Sequence, residues 1–178
     1  MTTLVIHPED QSTEFLKPIY AGIKNALVLT GGKSKDQVAE QIIKHDRIIM
    51  LGHGSPAGLF AVNKFETNNG LIIDHTMADI LNDKANNIYI WCYANQFVNA
   101  FNLKGFYTGM FISELVEAYY CDVPANEESI KISNNLFANL VSQYNLLPPA
   151  DLLEAIKMNY IIWGSEVVAY NASRLNAG

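Results

Sequence analysis

Two cysteines among 178 residues, Cys92 and Cys121, are too few for a disulfide framework or a four-thiolate zinc site. Arginine is scarcer than expected, with Arg47 and Arg174 alone, and Asp and Glu (18) outnumber Lys and Arg (12), giving a net charge of -6. That balance excludes the basic face on which nucleic-acid binders rely. No uninterrupted apolar stretch approaches the roughly 18 residues that span a bilayer. The opening Met1–His7 lacks the basic region and long apolar core of a secretion signal. There is no internal repeat and no low-complexity linker. The expectation is a cytoplasmic chain with free thiols and no nucleic-acid or membrane partner, and no oligomeric state is implied.

What is present is a core: 49% of the residues are apolar and 17% charged, enough for one globular domain over 1–178. Leu4–Ile6, Ala26–Thr30, Ile48–Leu51 and Ile88–Trp91 are short apolar runs bounded by Gly, Pro, Asn or charge, which reads as strands buried on both faces. Between them lie helical patterns: a weak one from Ser12 to Ile23 broken by Pro18, one capped by Ser34, and one through Met77, Ile80 and Leu81 that Asp74 or Thr76 can cap. Leu59–Val62 and Leu71–Ile73 flank Asn68-Asn69-Gly70, the signature of a small hairpin. Further on, the pattern predicts a short helix at 97–101, a fifth strand at 106–112 and a helix from Ser113 to Tyr120. A long helix begins near Asn126 and runs to Tyr144, and a last helix covers 150–158. A sixth strand is expected at Tyr160–Trp163 or Val167–Tyr170. Alternating strands and helices predict a doubly wound, mainly parallel α/β sheet of about six strands with helices on both faces.

In such sheets chemistry gathers at the C-terminal ends of the strands. One strand stops at Gly52-His53-Gly54 and the next at Cys92. If a right-handed crossover makes them neighbours, imidazole and thiol project above the same edge, a base beside a nucleophile. The backbone N–H groups of Gly54 and Cys92 could then hold a developing oxyanion. Gly31-Gly32-Lys33-Ser34 also sits between strand and helix, but Leu27 stands where a phosphate loop needs its first glycine.

A strand ending in His-Gly, a small hairpin, a helix, and a next strand ending in Cys resembles the clan of cysteine peptidases that includes caspases, legumain, clostripain and gingipains. The resemblance covers roughly residues 4–121. It implies a caspase-like fold in which His53 is the general base and Cys92 the nucleophile, with the oxyanion held by the N–H groups of Gly54 and Cys92. It implies a peptide or protein substrate and no required cofactor, although some relatives use calcium. The specificity pocket of that clan draws on the strand after the cysteine, here Tyr107 to Glu114, so Tyr107, Ser113 and Glu114 become candidate substrate-binding residues. Many members carry a small residue before the cysteine; this chain has Trp91.

Other assignments of the same residues stay open. Cys92 can be a buried core thiol, and the protein a catalytically inactive scaffold that binds a peptide or protein partner. His7 ends the first strand and could meet His53, either at the edge of a substrate site or, with Cys92, in a metal site. Ser113 can be a helix cap and Glu114 a first-turn carboxylate. Ser55 lacks the Gly-x-Ser-x-Gly context of a serine nucleophile.

Overall fold

The computed structural model describes all residues from Met1 to Gly178. The chain opens with β1 (Thr3–Ile6), a 3-10 turn at Gln11–Leu16 and α1 (Pro18–Ala21). It continues through β2 (Leu27–Leu29), α2 (Lys35–Lys44) and β3 (Arg47–Leu51). Three very short strands follow, β4 (Gly54–Ser55), β5 (Gly58–Phe60) and β6 (Leu71–Ile73), and then α3 (Ala78–Asn82), β7 (Ile88–Ile90) and α4 (Ala94–Ala100). The last part comprises β8 (Phe106–Thr108), α5 (Leu115–Tyr120), α6 (Glu127–Tyr144), α7 (Pro149–Tyr160), α8 (Glu166–Ser173) and β9 (Leu175–Ala177).

Six strands form one sheet in the order β2-β1-β3-β7-β8-β9, parallel except for β9. The fold is the doubly wound α/β sheet expected from the alternation. Side chains alternate across each strand and sort into two cores. Leu4, Ile6, Ile48, Met50, Tyr89 and Trp91 pack on one face with Val38 and Ile42 of α2, Leu81 of α3 and Phe97 of α4. Val5, Ile49, Leu51, Ile88 and Ile90 pack on the other with Ile19 of α1, Phe137 and Val141 of α6, Ile156 of α7 and Val168 of α8. The chain leaves β1 toward β2 on one side and returns to β3 on the other. The ends of β1 and β3 therefore diverge around a switch point, where a crevice opens in sheets of this kind.

Caps act where the sequence announces them. Ser34 accepts from Gln37 N in a reciprocal capping box, Asn126 does the same for α6, and Asp74 accepts from Thr76 N. Arg47 is buried without a carboxylate; its guanidinium donates to Asn86 O and to the side chain and carbonyl of Asn145. Asn145 caps the C-terminus of α6, so the cation meets the negative end of the helix dipole. Burial lowers its pKa to about 10, still above neutrality. The hairpin is a three-stranded antiparallel sheet, β4-β5-β6. It is tied back to α2 by the buried carboxylate of Asp74, which takes Lys35 Nζ, Asn69 Nδ2 and the Thr76 hydroxyl.

Three expectations are corrected. The fifth strand ends at Thr108, and residues 109–114 form a loop. The segment Ser12–Ile23 is a 3-10 turn and one helical turn, because Pro18 can only open a helix. The sixth strand is Leu175–Ala177, whereas both segments predicted for it are helical. Val167, Val168 and Ala172 sit at helical spacing behind the Ser165 cap, and that context overrides the β-branched composition.

The departure at Trp91 is accommodated by glycine. A Cβ on Gly54 would lie 2.2 Å from Trp91 Cδ1 and 2.6 Å from Gly58 O, and the indole Nε1 donates to Ser55 O at 3.1 Å. Gly54→Ala is expected to cost about 1–3 kcal/mol through overpacking. Urea unfolding checks this, and a loss below roughly 0.5 kcal/mol would contradict the close packing.

Candidate active site

The pairing of β3 with β7 sets Leu51 level with Ile90, and Gly52 N donates to Ile90 O at 3.0 Å. Two residues beyond the end of each strand stand His53 and Cys92, and both line a cavity with Leu16 and Ile90 of the α6-side core. This one small cavity, of about 20 Å³, is lined also by Thr13, Phe15, Phe111 and Ser113. Gly52 makes the turn possible with φ +141, a region that side chains avoid. After Cys92 the chain bends through Tyr93, at φ 67, directly into α4. A non-glycine pays about 1–2 kcal/mol for that conformation, and here it turns the chain away immediately behind the thiol. Thr108 secures the base of the bend, its Oγ1 accepting from Trp91 N at 3.2 Å and donating to Trp91 O at 2.9 Å.

His53 is held by residues that sequence patterns did not single out. Ser12 Oγ lies 2.6 Å from His53 Nε2 and 2.6 Å from Asp10 Oδ1. An ionised carboxylate only accepts, so the hydroxyl donates to Asp10 and accepts from Nε2–H. That assignment leaves the Nδ1 lone pair as the basic position. Asp10 lies 4.0 Å from Nε2, and its carboxyl is held below the usual range, first by the hydrogen bonds of Ser12. His7 supports the same turn from beneath. It is buried, with Nε2 at 3.1 Å from Thr13 Oγ1 and Nδ1 at 3.1 Å from Tyr20 Oη. Thr13 Oγ1 donates to Asp10 O at 3.2 Å, which leaves it to accept from His7 Nε2–H. Both ring nitrogens are thus engaged away from the cavity. No group of three His, Cys, Asp or Glu side chains is placed to hold a metal ion, so His7, His53 and Cys92 do not form a donor set.

The thiol has other neighbours. Cys92 Sγ lies 3.6 Å from Phe111 O and 3.7 Å from Glu117 Oε1, and no hydrogen bond joins it to His53. Burial first, and then Glu117, push its pKa up to about 12. Glu117 Oε2 accepts from Ser113 N (2.7 Å), Ser113 Oγ (2.9 Å) and Glu114 N (3.0 Å), which organises the 109–114 loop above the cavity. The helix that begins here is capped at Glu114, one position beyond the expected Ser113. Ser113 lines the cavity, and Ser113 and Glu114 both line the larger cleft beside it. Tyr107, by contrast, packs in the core of the opposite face, its hydroxyl at 3.5 Å from Asn99 Oδ1.

Two main-chain donors near the ends of β3 and β7 are left outside the ladders. Phe60 N donates to His53 O at 2.9 Å, which makes Gly54–Leu59 a non-hydrogen-bonded pair and leaves Gly54 N–H outside the hairpin ladder. Cys92 N–H donates to no protein group. No family model matches the chain, and no curated protein matches it.

Glu117→Gln is expected to lower the Cys92 pKa and speed its alkylation at pH 8–9, read as iodoacetamide rate against pH in a Cys121→Ser background; an unchanged profile would remove Glu117 as a cause. His7, its pKa lowered to about 4 chiefly by burial and next by Lys17, stabilises the fold fully above its unfolded value of 6.5. That contribution, of order 3 kcal/mol, is lost as pH falls from 6.5 toward 4. Unfolding free energies across that window should flatten in His7→Gln, and a wild-type curve that does not fall there contradicts the buried neutral imidazole.

Proposed function

We propose that the protein is a cysteine peptidase in which Cys92 is the nucleophile and His53 the general base. The observation that carries this is the level placement of His53 and Cys92 at the ends of adjacent parallel strands, on one face and in one cavity. Acyl transfer begins with rotation of the thiol from Phe111 O toward His53 Nδ1, to which it gives its proton. Sγ then attacks the peptide carbonyl, and the oxyanion is stabilised by Gly54 N–H and Cys92 N–H. The imidazolium protonates the leaving amine, held meanwhile by Ser12 and, through it, by the Asp10 carboxylate. Water, deprotonated by His53, releases the acyl group. Ser12 is unsuited to be the nucleophile itself, because its proton is committed to Asp10.

A second reading, a non-catalytic scaffold that binds a peptide or protein partner, is favoured by one observation. The thiol is protonated at neutral pH and turned to Glu117 and Phe111. The two readings separate on turnover. The wild type is expected to release fluorophore from a peptide library, Cys92→Ala to release none, and His53→Ala to lose roughly 10²–10⁴-fold in kcat. Turnover that survives in Cys92→Ala, or a folded wild type that cleaves no member of the library, overturns the peptidase.

A further inference from the structure

Beside the small cavity a larger cleft, about 440 Å³, opens between the 3-10 turn after β1, the 109–114 loop and α6. It adjoins the cavity, since Phe15 and Ser113 line both. One of its walls is Ser12, the residue hydrogen-bonded to His53. A peptide lying across Cys92 therefore has a side-chain-sized space at hand, of the volume that ligand sites usually have.

The charged groups of this cleft are two carboxylates and one ammonium. Glu114 and Glu127 are exposed carboxylates, and neither is in an ion pair. Asn134 lines the same cleft, is 8% exposed, and donates from Nδ2 to Ser113 O at 2.9 Å while its Oδ1 has no partner. A buried acceptor left without a donor costs free energy that a ligand's N–H can recover. Lys131 is the one basic residue of the lining and is exposed, so the carboxylates outnumber it. Phe15, Leu115 and Ile130 give apolar walls for a methylene stem. Another cleft, lined by Tyr93 next to Cys92, carries Arg174 and no carboxylate. The negative charge thus lines the α6-side cleft, whereas the cleft at Arg174 carries positive charge, so a cationic side chain is favoured on the α6 side.

We propose that this cleft is the specificity subsite of the protein and that it takes a lysine or arginine side chain of the substrate next to the scissile bond. The assignment rests on the peptidase reading given above. A guanidinium brings five donors and a delocalised charge, and an ammonium brings three donors; both suit two carboxylates and an unpaired amide oxygen. Glu114, Glu127 and Asn134 are then the residues that choose the substrate, and they come from the 109–114 loop and α6, away from Tyr107.

The test uses peptidyl acyloxymethyl ketones that are identical except for the residue next to the warhead: arginine, its neutral isostere citrulline, leucine or aspartate. Labelling of Cys92 is followed by intact mass. The arginine probe is expected to label about tenfold or more faster than the citrulline probe, and the ratio to fall toward one in the Glu114→Gln/Glu127→Gln double variant. Fastest labelling by leucine or aspartate overturns the subsite and leaves the peptidase standing. An arginine preference that persists in the double variant overturns the assignment to this cleft. A folded protein whose Cys92 reacts with none of the probes overturns both.

Discussion

The register between β3 and β7 is the constraint on which the rest depends. With Leu51 level with Ile90 at the ends of their strands, the second residue beyond each end is His53 on one and Cys92 on the other. A slip of one residue would send one side chain to the α2 face and the other to the α6 face, and no cavity would hold both. The register is enforced on both faces, since every residue of β3 is buried and β7 sets Tyr89 in one core and Ile88 and Ile90 in the other. Gly54 is part of the same constraint, because only a residue without a Cβ lets the indole of Trp91 lie against the chain just beyond His53.

The turn after β1 converts a pair of side chains into an oriented pair. Its position follows from the switch in winding direction between β1 and β3, which brings Asp10, Ser12 and Thr13 over the end of β3. Hydrogen bonds run from Tyr20 through His7 to Thr13, and from Asp10 through Ser12 to His53, so a buried histidine supports the turn that orients a partly exposed one. On the other flank Glu117 holds the 109–114 loop and faces the thiol. Burial first, and then the same carboxylate that organises the loop, keep Cys92 protonated in this arrangement. In the proposed peptidase, attack on a peptide requires the thiol to exchange Glu117 and Phe111 O for His53. In that proposal a bound substrate that excludes water and occupies the two N–H groups favours the exchange.

Much of the scaffold was legible because β1, β3 and β7 are apolar on both faces, and such runs read as buried parallel strands without reference to partners. Ser34, Asp74 and Asn126 were legible as caps because capping is local. His53 and Cys92 emerged because each stands at the abrupt end of such a run. The residues that orient them did not: Ser12 meets His53 across 41 positions, and Glu117 meets Cys92 across 25, contacts that no local pattern encodes. His7 looked like a cleft residue for the same reason that His53 did, as a histidine closing a strand, and only its packing against Tyr20 and Thr13 takes it into the interior. Tyr107 was placed at the substrate site by resemblance, yet strand alternation puts it on the opposite face from Cys92. The sixth strand was missed because Leu175-Asn176-Ala177 has little strand character of its own and is recruited by the edge of β8.

The most direct measurement is a crystal structure of the protein after reaction with a peptidyl ketone carrying a thiol-reactive warhead. The proposed chemistry predicts a covalent bond from Cys92 Sγ, rotated off Phe111 O. It also predicts the inhibitor oxygen at about 2.7–3.2 Å from the N–H groups of Gly54 and Cys92, and His53 still held by Ser12. A bond to Cys121 in its place, or an adduct on Cys92 whose oxygen faces away from both N–H groups, would contradict it.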